Sequence, residues 1–188
     1  GGMPGVVSHS GLVTLTISDT GAVSPVTGSY KPIGGSAVAM SGTLTRSTGA
    51  LSFGGSGYGA TAVLAGGMFT GLWTLSTTDS GGFAAVSDSG SPVAFCGTFH
   101  NTSGSADSGV TVLLLNGSSG YLVAGDRVGT GHNINVFPAT RSGSTVTVTP
   151  NKGSATGTIS GTSITGVIKD STGTTTGSFS GSAPNCAL

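Results

Sequence analysis

Leu12-Val-Thr-Leu-Thr-Ile-Ser18 decides the fold class. Apolar and hydroxyl residues alternate strictly along it, placing Val13, Leu15 and Ile17 on one face of an extended chain and Thr14, Thr16 and Ser18 on the other. That is a strand with one dry face and one wet face. Thr145-Val-Thr-Val-Thr149 repeats the pattern near the other end of the chain, and Pro150-Asn151 ends it.

Between these two stretches one unit keeps returning: a glycine, a small hydroxyl or apolar residue, a large apolar residue, then usually another hydroxyl. Gly28-Ser-Tyr30, Gly42-Thr-Leu-Thr45, Gly71-Leu-Trp-Thr74, Gly97-Thr-Phe-His100, Gly157-Thr-Ile-Ser160 and Gly177-Ser-Phe-Ser180 are its copies. The glycine is expected to open a strand or sit at a bulge, with the large residue pointing into the core. Turn signals separate the units: Asp19-Thr-Gly21, Ser47-Thr-Gly49, Asp79-Ser-Gly81, Asn116-Gly117 and Asp170-Ser-Thr-Gly173. Such short spacing favours antiparallel neighbours over helical crossovers. Two segments, Ala60 to Ala65 and Val110 to Leu115, carry apolar residues on both faces and are expected to be buried on both. The pattern predicts about twelve to fifteen short strands in an antiparallel up-and-down β-barrel or closed meander, with no substantial helix.

Composition points the same way. All six acids are aspartates and there is no glutamate or glutamine, so the usual material of a helix surface is missing. The 36 glycines do not imply disorder, because net charge is zero and 36% of residues are hydrophobic. At 188 residues one domain spanning 1–188 is expected, with 1–10 as a flexible leading segment. The six cations are scattered, which argues against a nucleic-acid partner.

Cys96 and Cys186 fit no metal spacing, and an even count in a Ser/Thr/Gly-rich chain suits an oxidising compartment. A bridge between them is expected, against the alternative of two buried free thiols. It would close a loop of roughly 90 residues, a constraint of about 4 to 5 kcal/mol in the chain-entropy model. Secretion, the periplasm or the cell surface follows as the expected location. The Gly-rich opening Gly1-Gly2-Met3-Pro4-Gly5 resembles the start of bacterial envelope lipoproteins whose anchor has been removed, which implies peripheral membrane attachment.

Signatures of catalysis are thin. His9, His100 and His132 form no close ligand pair, and no G-x-S-x-G elbow is present. His100 with Asp107, and His132 with Asp126, are the pairs that hairpins would bring together. Gly57-Tyr-Gly-Ala-Thr-Ala62 matches a dinucleotide fingerprint in form but lacks its βαβ setting and reads as a hairpin. Asn101-Thr-Ser103 and Asn116-Gly-Ser118 are glycosylation sequons, meaningful only in a source with that machinery. No cofactor or metal is expected.

Gly97-Thr-Phe-His-Asn101 followed by Val110 to Leu115, and Gly71-Leu-Trp73 before Thr74-Leu75, resemble the strand openings of calycin-type barrels, the lipocalins and avidins. The resemblance covers short motifs. It implies a barrel holding a small apolar ligand at an open end, although biotin is disfavoured because Trp73 is the only tryptophan. Trp73, Phe99, Tyr121, Tyr58 and His100 are the candidate ligand-binding residues, being bulky groups with polar tips or polar neighbours. The leading expectation is a non-enzymatic binding module for a small hydrophobic molecule or a glycan. The alternatives are a structural or adhesive surface subunit assembling through strand edges, and a hydrolase or isomerase with its site at a barrel mouth.

Overall fold

The computed structural model describes residues 11–19, 21–32, 35–65, 68–75, 79–86, 92–102, 108–128 and 131–183. Among them there is no helix, only strands and turns. The expected leading segment 1–10 lies outside the described residues. The described residues fall into two compact units, one up to Ala85 and one from Val86 onward. Each unit has its own hydrophobic cluster.

The first unit is a seven-stranded antiparallel meander: β1 (Gly11–Ile17), β2 (Val23–Pro32), β3 (Val38–Thr45), β4 (Ala50–Gly55), β5 (Tyr58–Ala65), β6 (Met68–Leu75) and β7 (Asp79–Val86), in that spatial order. The alternation works as the sequence predicts. In β1 the half-buried Val13, Leu15 and Ile17 pack toward the core formed by Val26, Met40, Leu44, Leu51, Phe53, Ala60 and Ala62. Across the sheet Val26 stands beside Gly42, Gly42 beside Phe53 and Phe53 beside Ala60. A Cβ at Gly42 would lie 2.7 Å from the Phe53 Cβ and closer still to the Ser52 carbonyl. The glycine is therefore fitted to the close approach of the β4 main chain, a role different from the strand-opening or bulge role its spacing suggested.

The second unit is a closed barrel of eight strands: β8 (Val93–Asn101), β9 (Ser108–Asn116), β10 (Ser119–Val128), β11 (Gly131–Ser142), β12 (Thr145–Val148), β13 (Ser154–Ser160), β14 (Ser163–Lys169) and β15 (Thr175–Ser182). Each pairs antiparallel with the next, and β15 closes on β8. Following directly opposed residues around the wall runs Val93, Leu115, Gly120, Ala139, Val148, Ala155, Ile168, Gly177 and back to β8 at Asn101, eight residues along from the start. Eight strands with an eight-residue shear tilt at about 36° and leave an interior that side chains just fill. This is the up-and-down barrel predicted from the alternation.

Several turns follow the sequence. Asn116-Gly117 is the β9–β10 hairpin, with Gly117 at φ +63°. The Gly57 segment is a hairpin turn into β5, as its setting suggested, and not a strand-to-helix phosphate loop. Asp79-Ser-Gly81 departs from expectation: it opens β7, and a Cβ at Gly81 would run into the Trp73 indole. The expectation of burial on both faces also divides. In β9 Thr111, Leu113 and Leu115 are buried while Val110, Val112 and Leu114 on the outer face are half-buried. In β5 Val63 is 53% and Leu64 40% exposed, so that strand is not buried on both faces.

Candidate functional site

The barrel interior is occupied by the protein's own side chains. Phe95, Phe99, Phe179, Leu113, Leu122, Val146 and Ile164 form one buried cluster. Phe179 stands beside Phe99 on one side and Gly166 on the other, and Gly166 faces Gly157. A Cβ at Gly157 would lie 2.8 Å from the Phe179 ring, and one at Gly166 would overlap it. Small residues opposite large ones pack the lumen. Phe99, expected to touch a ligand, is 9% exposed and belongs to this packing.

The other candidates are placed apart from it. His100 follows Phe99 on β8 and is exposed on the outer surface, between Ser108 and Ser178 in register. Tyr121 is half-buried and opposite Leu114 and Pro138. Tyr58 and Trp73 belong to the seven-stranded unit and pack on its core; the Tyr58 ring lies 4.8 Å from that of Tyr30. The five do not form one lining within either unit. Among the described residues Cys96 is not a free thiol, and Cys186 lies outside them. His9 and Asp107 also lie outside, as do the side chains of Asp126 and His132.

The surface feature with the most defined chemistry lies on the outward face of the seven-stranded sheet. Pro25, Thr43, Ser52, Thr61 and Leu72 stand side by side across β2 to β6, and Val23, Thr45, Ala50, Val63 and Thr70 form the adjacent row. A shallow depression of about 380 Å³ is lined by Thr43, Thr45, Ser52, Thr61 and Thr70 together with Ala50, Val63 and Leu72. Leu72 is 62% exposed. Among the described residues no ionisable group lines it. Hydroxyls and aliphatic groups alternate there because the wet positions of Thr-rich strands stack at about 4.8 Å from strand to strand and about 7 Å along each strand. These threonines carry no aromatic ring or charge to single them out in the sequence; only the alternation in Gly42-Thr-Leu-Thr45 marks Thr43 and Thr45 as outward. A second depression, of about 350 Å³, lies on the barrel surface among Cys96, Thr98, Ser163, Thr165, Ser180 and Ser182.

Arg46 and Asp170 hold local structure. Arg46 Nη2 lies 3.0 Å from the Asp19 carboxylate, and its Nε donates at 2.8 Å to the hydroxyl of the fully buried Ser24. Asp170 organises the β14–β15 turn: Oδ1 accepts from the Thr172 hydroxyl at 2.6 Å, the Thr172 amide at 2.8 Å and the Thr174 amide at 3.0 Å. The Thr172 hydroxyl, then the backbone amides, hold its carboxyl below the ordinary range. Among the described residues no three histidines, cysteines or carboxylates cluster as metal ligands.

Fold and surface together define an all-β protein with one packed barrel and one seven-stranded antiparallel sheet. Compared with protein-family models, curated protein sequences and solved structures, the chain matches none.

Proposed function

We propose that this chain is a non-enzymatic binding module of a secreted or envelope protein, and that it engages a neutral glycan on the outward face of its seven-stranded sheet. The depression framed by Thr43, Thr45, Ser52, Thr61 and Thr70 carries this reading. A sugar presents hydroxyls and C–H faces together, and the hydroxyls of these residues beside Ala50, Val63 and Leu72 offer both kinds of contact without a charge to desolvate. A small hydrophobic ligand held in a lumen fits less well, because the barrel core fills its interior.

The location and the Cys96–Cys186 bridge belong to the same proposal, as does attachment through a removed lipid anchor. Intact-mass comparison with and without reductant, after alkylation, reads the bridge as a gain of about 2 Da per reduced disulfide before the alkyl groups are counted.

Binding to an array of neutral polysaccharides tests the glycan reading, using the full chain and a Thr43→Val/Thr61→Val variant that removes two hydroxyls with little change of shape. Loss of about tenfold in affinity with an unchanged fold is expected. Equal binding by the variant, or no neutral glycan bound at all, would overturn the reading.

A further inference from the structure

We infer that the outward depression of the seven-stranded sheet is fitted to a straight, unbranched glycan of β-1,4-linked sugars, lying across the strands with about one sugar to each strand. This rests on the glycan reading above and names its substrate class.

The outline of the depression carries the first part. Its outward lining comes from the neighbouring strands β3, β4, β5 and β6, with two outward residues from each. Three strand spacings make it about 14 Å long across the strands, against about 7 Å along them. A single sugar leaves most of that length uncovered. An extended chain fills it.

Spacing carries the second. Thr43, Ser52, Thr61 and Leu72 are directly opposed from strand to strand and form one row. Members of the row repeat at one strand spacing, about 4.8 Å. A chain of β-1,4-linked pyranoses joined equatorially is a flat ribbon that advances by nearly the same amount, about 5 Å for each sugar, so its register with the strands holds along the whole row. An α-1,4-linked chain coils away from a flat row and loses that register.

Chemistry at each step carries the third. β4, β5 and β6 each present one hydroxyl and one aliphatic group: Ser52 with Ala50, Thr61 with Val63, and Thr70 with Leu72. Val63 and Leu72 are exposed. A ribbon sugar carries ring C–H groups on its face and hydroxyls along its edges, so one strand offers what one sugar needs. Beside the Ser52 and Thr61 pair, the next outward pair is Gly54 and Gly59, which carry no side chains. That side of the row is low and takes the substituents at the ribbon's edge.

The test uses the full chain, isotopically labelled, titrated with β-1,4-linked gluco-, manno- and xylo-oligosaccharides of increasing length and with α-1,4-linked gluco-oligosaccharides of the same lengths. In the β-linked series that binds, affinity should rise by about threefold or more per sugar up to about four sugars and then level off, with amide shifts spreading from β3 to β6. The α-linked chain of equal length should bind about tenfold more weakly or worse. Leu72→Ser changes an exposed side chain and should weaken the longest productive chain by about threefold with the fold unchanged. Affinity independent of length, an α-linked chain bound as tightly, a Leu72→Ser variant as effective as the parent, or a neutral glycan bound when no β-1,4-linked series is, would overturn the inference and leave the glycan reading standing. Binding of no neutral glycan would remove that reading and this inference together.

Discussion

The two units use the same materials and finish differently. Both alternate aliphatic and hydroxyl residues along their strands, and both pair a phenylalanine directly with a glycine on the neighbouring strand: Phe53 beside Gly42 in the sheet, Phe179 beside Gly166 in the barrel. The barrel has eight strands, so its first and last can pair antiparallel and every main-chain edge is used. Among the described residues the sheet has seven and ends in β1 and β7. Local pattern makes the wall; strand number decides whether the wall closes.

Phe179→Ala should have the largest effect on this comparison. It empties the centre of the closed lumen and should cost about 3 to 5 kcal/mol in denaturant unfolding, with lost exchange protection concentrated in β8, β14 and β15. A cost under about 1 kcal/mol would mean the lumen is not packed as described.

The opposite change comes next. Gly166→Ala pushes a methyl group into the Phe179 ring and toward the Thr156 carbonyl, and should destabilise by about 1 to 3 kcal/mol. Phe179→Leu in the same chain should recover part of that loss, which a double-mutant cycle measures. Additive costs would show that glycine and ring do not depend on each other.

Arg46→Ala acts on the sheet. Its exposed pair with Asp19 contributes little, but the buried Ser24 hydroxyl loses a close donor, so about 1 to 2 kcal/mol is expected. Ser24→Ala should make the Arg46 substitution nearly silent. If Arg46→Ala costs the same in both backgrounds, the hydrogen bond is not the cause.

The smallest effect is at the barrel's Asp170 turn. Its carboxyl titrates below the ordinary range because Thr172, Thr174 and Gly173 donate to the aspartate. A depressed folded value means the turn is stabilised above the unfolded pKa and loses that support as pH falls through the folded value. An NMR titration should show this low midpoint, and Asp170→Asn should remove the acid-side change in turn resonances. A midpoint at the ordinary carboxylate value would contradict the hydrogen-bonded turn.

Much of this architecture was legible in Leu12 to Ser18 and Thr145 to Thr149, because a period of two fixes both strand and facing. The absence of glutamate and glutamine sharpened the all-β reading. What stayed hidden was long-range. Nothing local in Gly166 tells that its neighbour across the strand is Phe179, and no pattern within β7 and β8 tells that one sheet ends and another begins. The candidate site was hidden for a related reason: Thr43, Ser52, Thr61 and Leu72 come from four strands and become a row only through register. Trp73 and Phe99 drew attention by size, and size is what the cores of a glycine-rich protein need.

Native-state hydrogen exchange across the β15–β8 seam tests the contrast between closed and open units most directly. Closure predicts that hydrogen-bonded amides in the Gly177 to Ser182 and Cys96 to Asn101 pairing are protected as strongly as those of β13 and β14. Seam amides exchanging far faster than those of β13 and β14 would show that the barrel is open, and the distinction between the two units would fall.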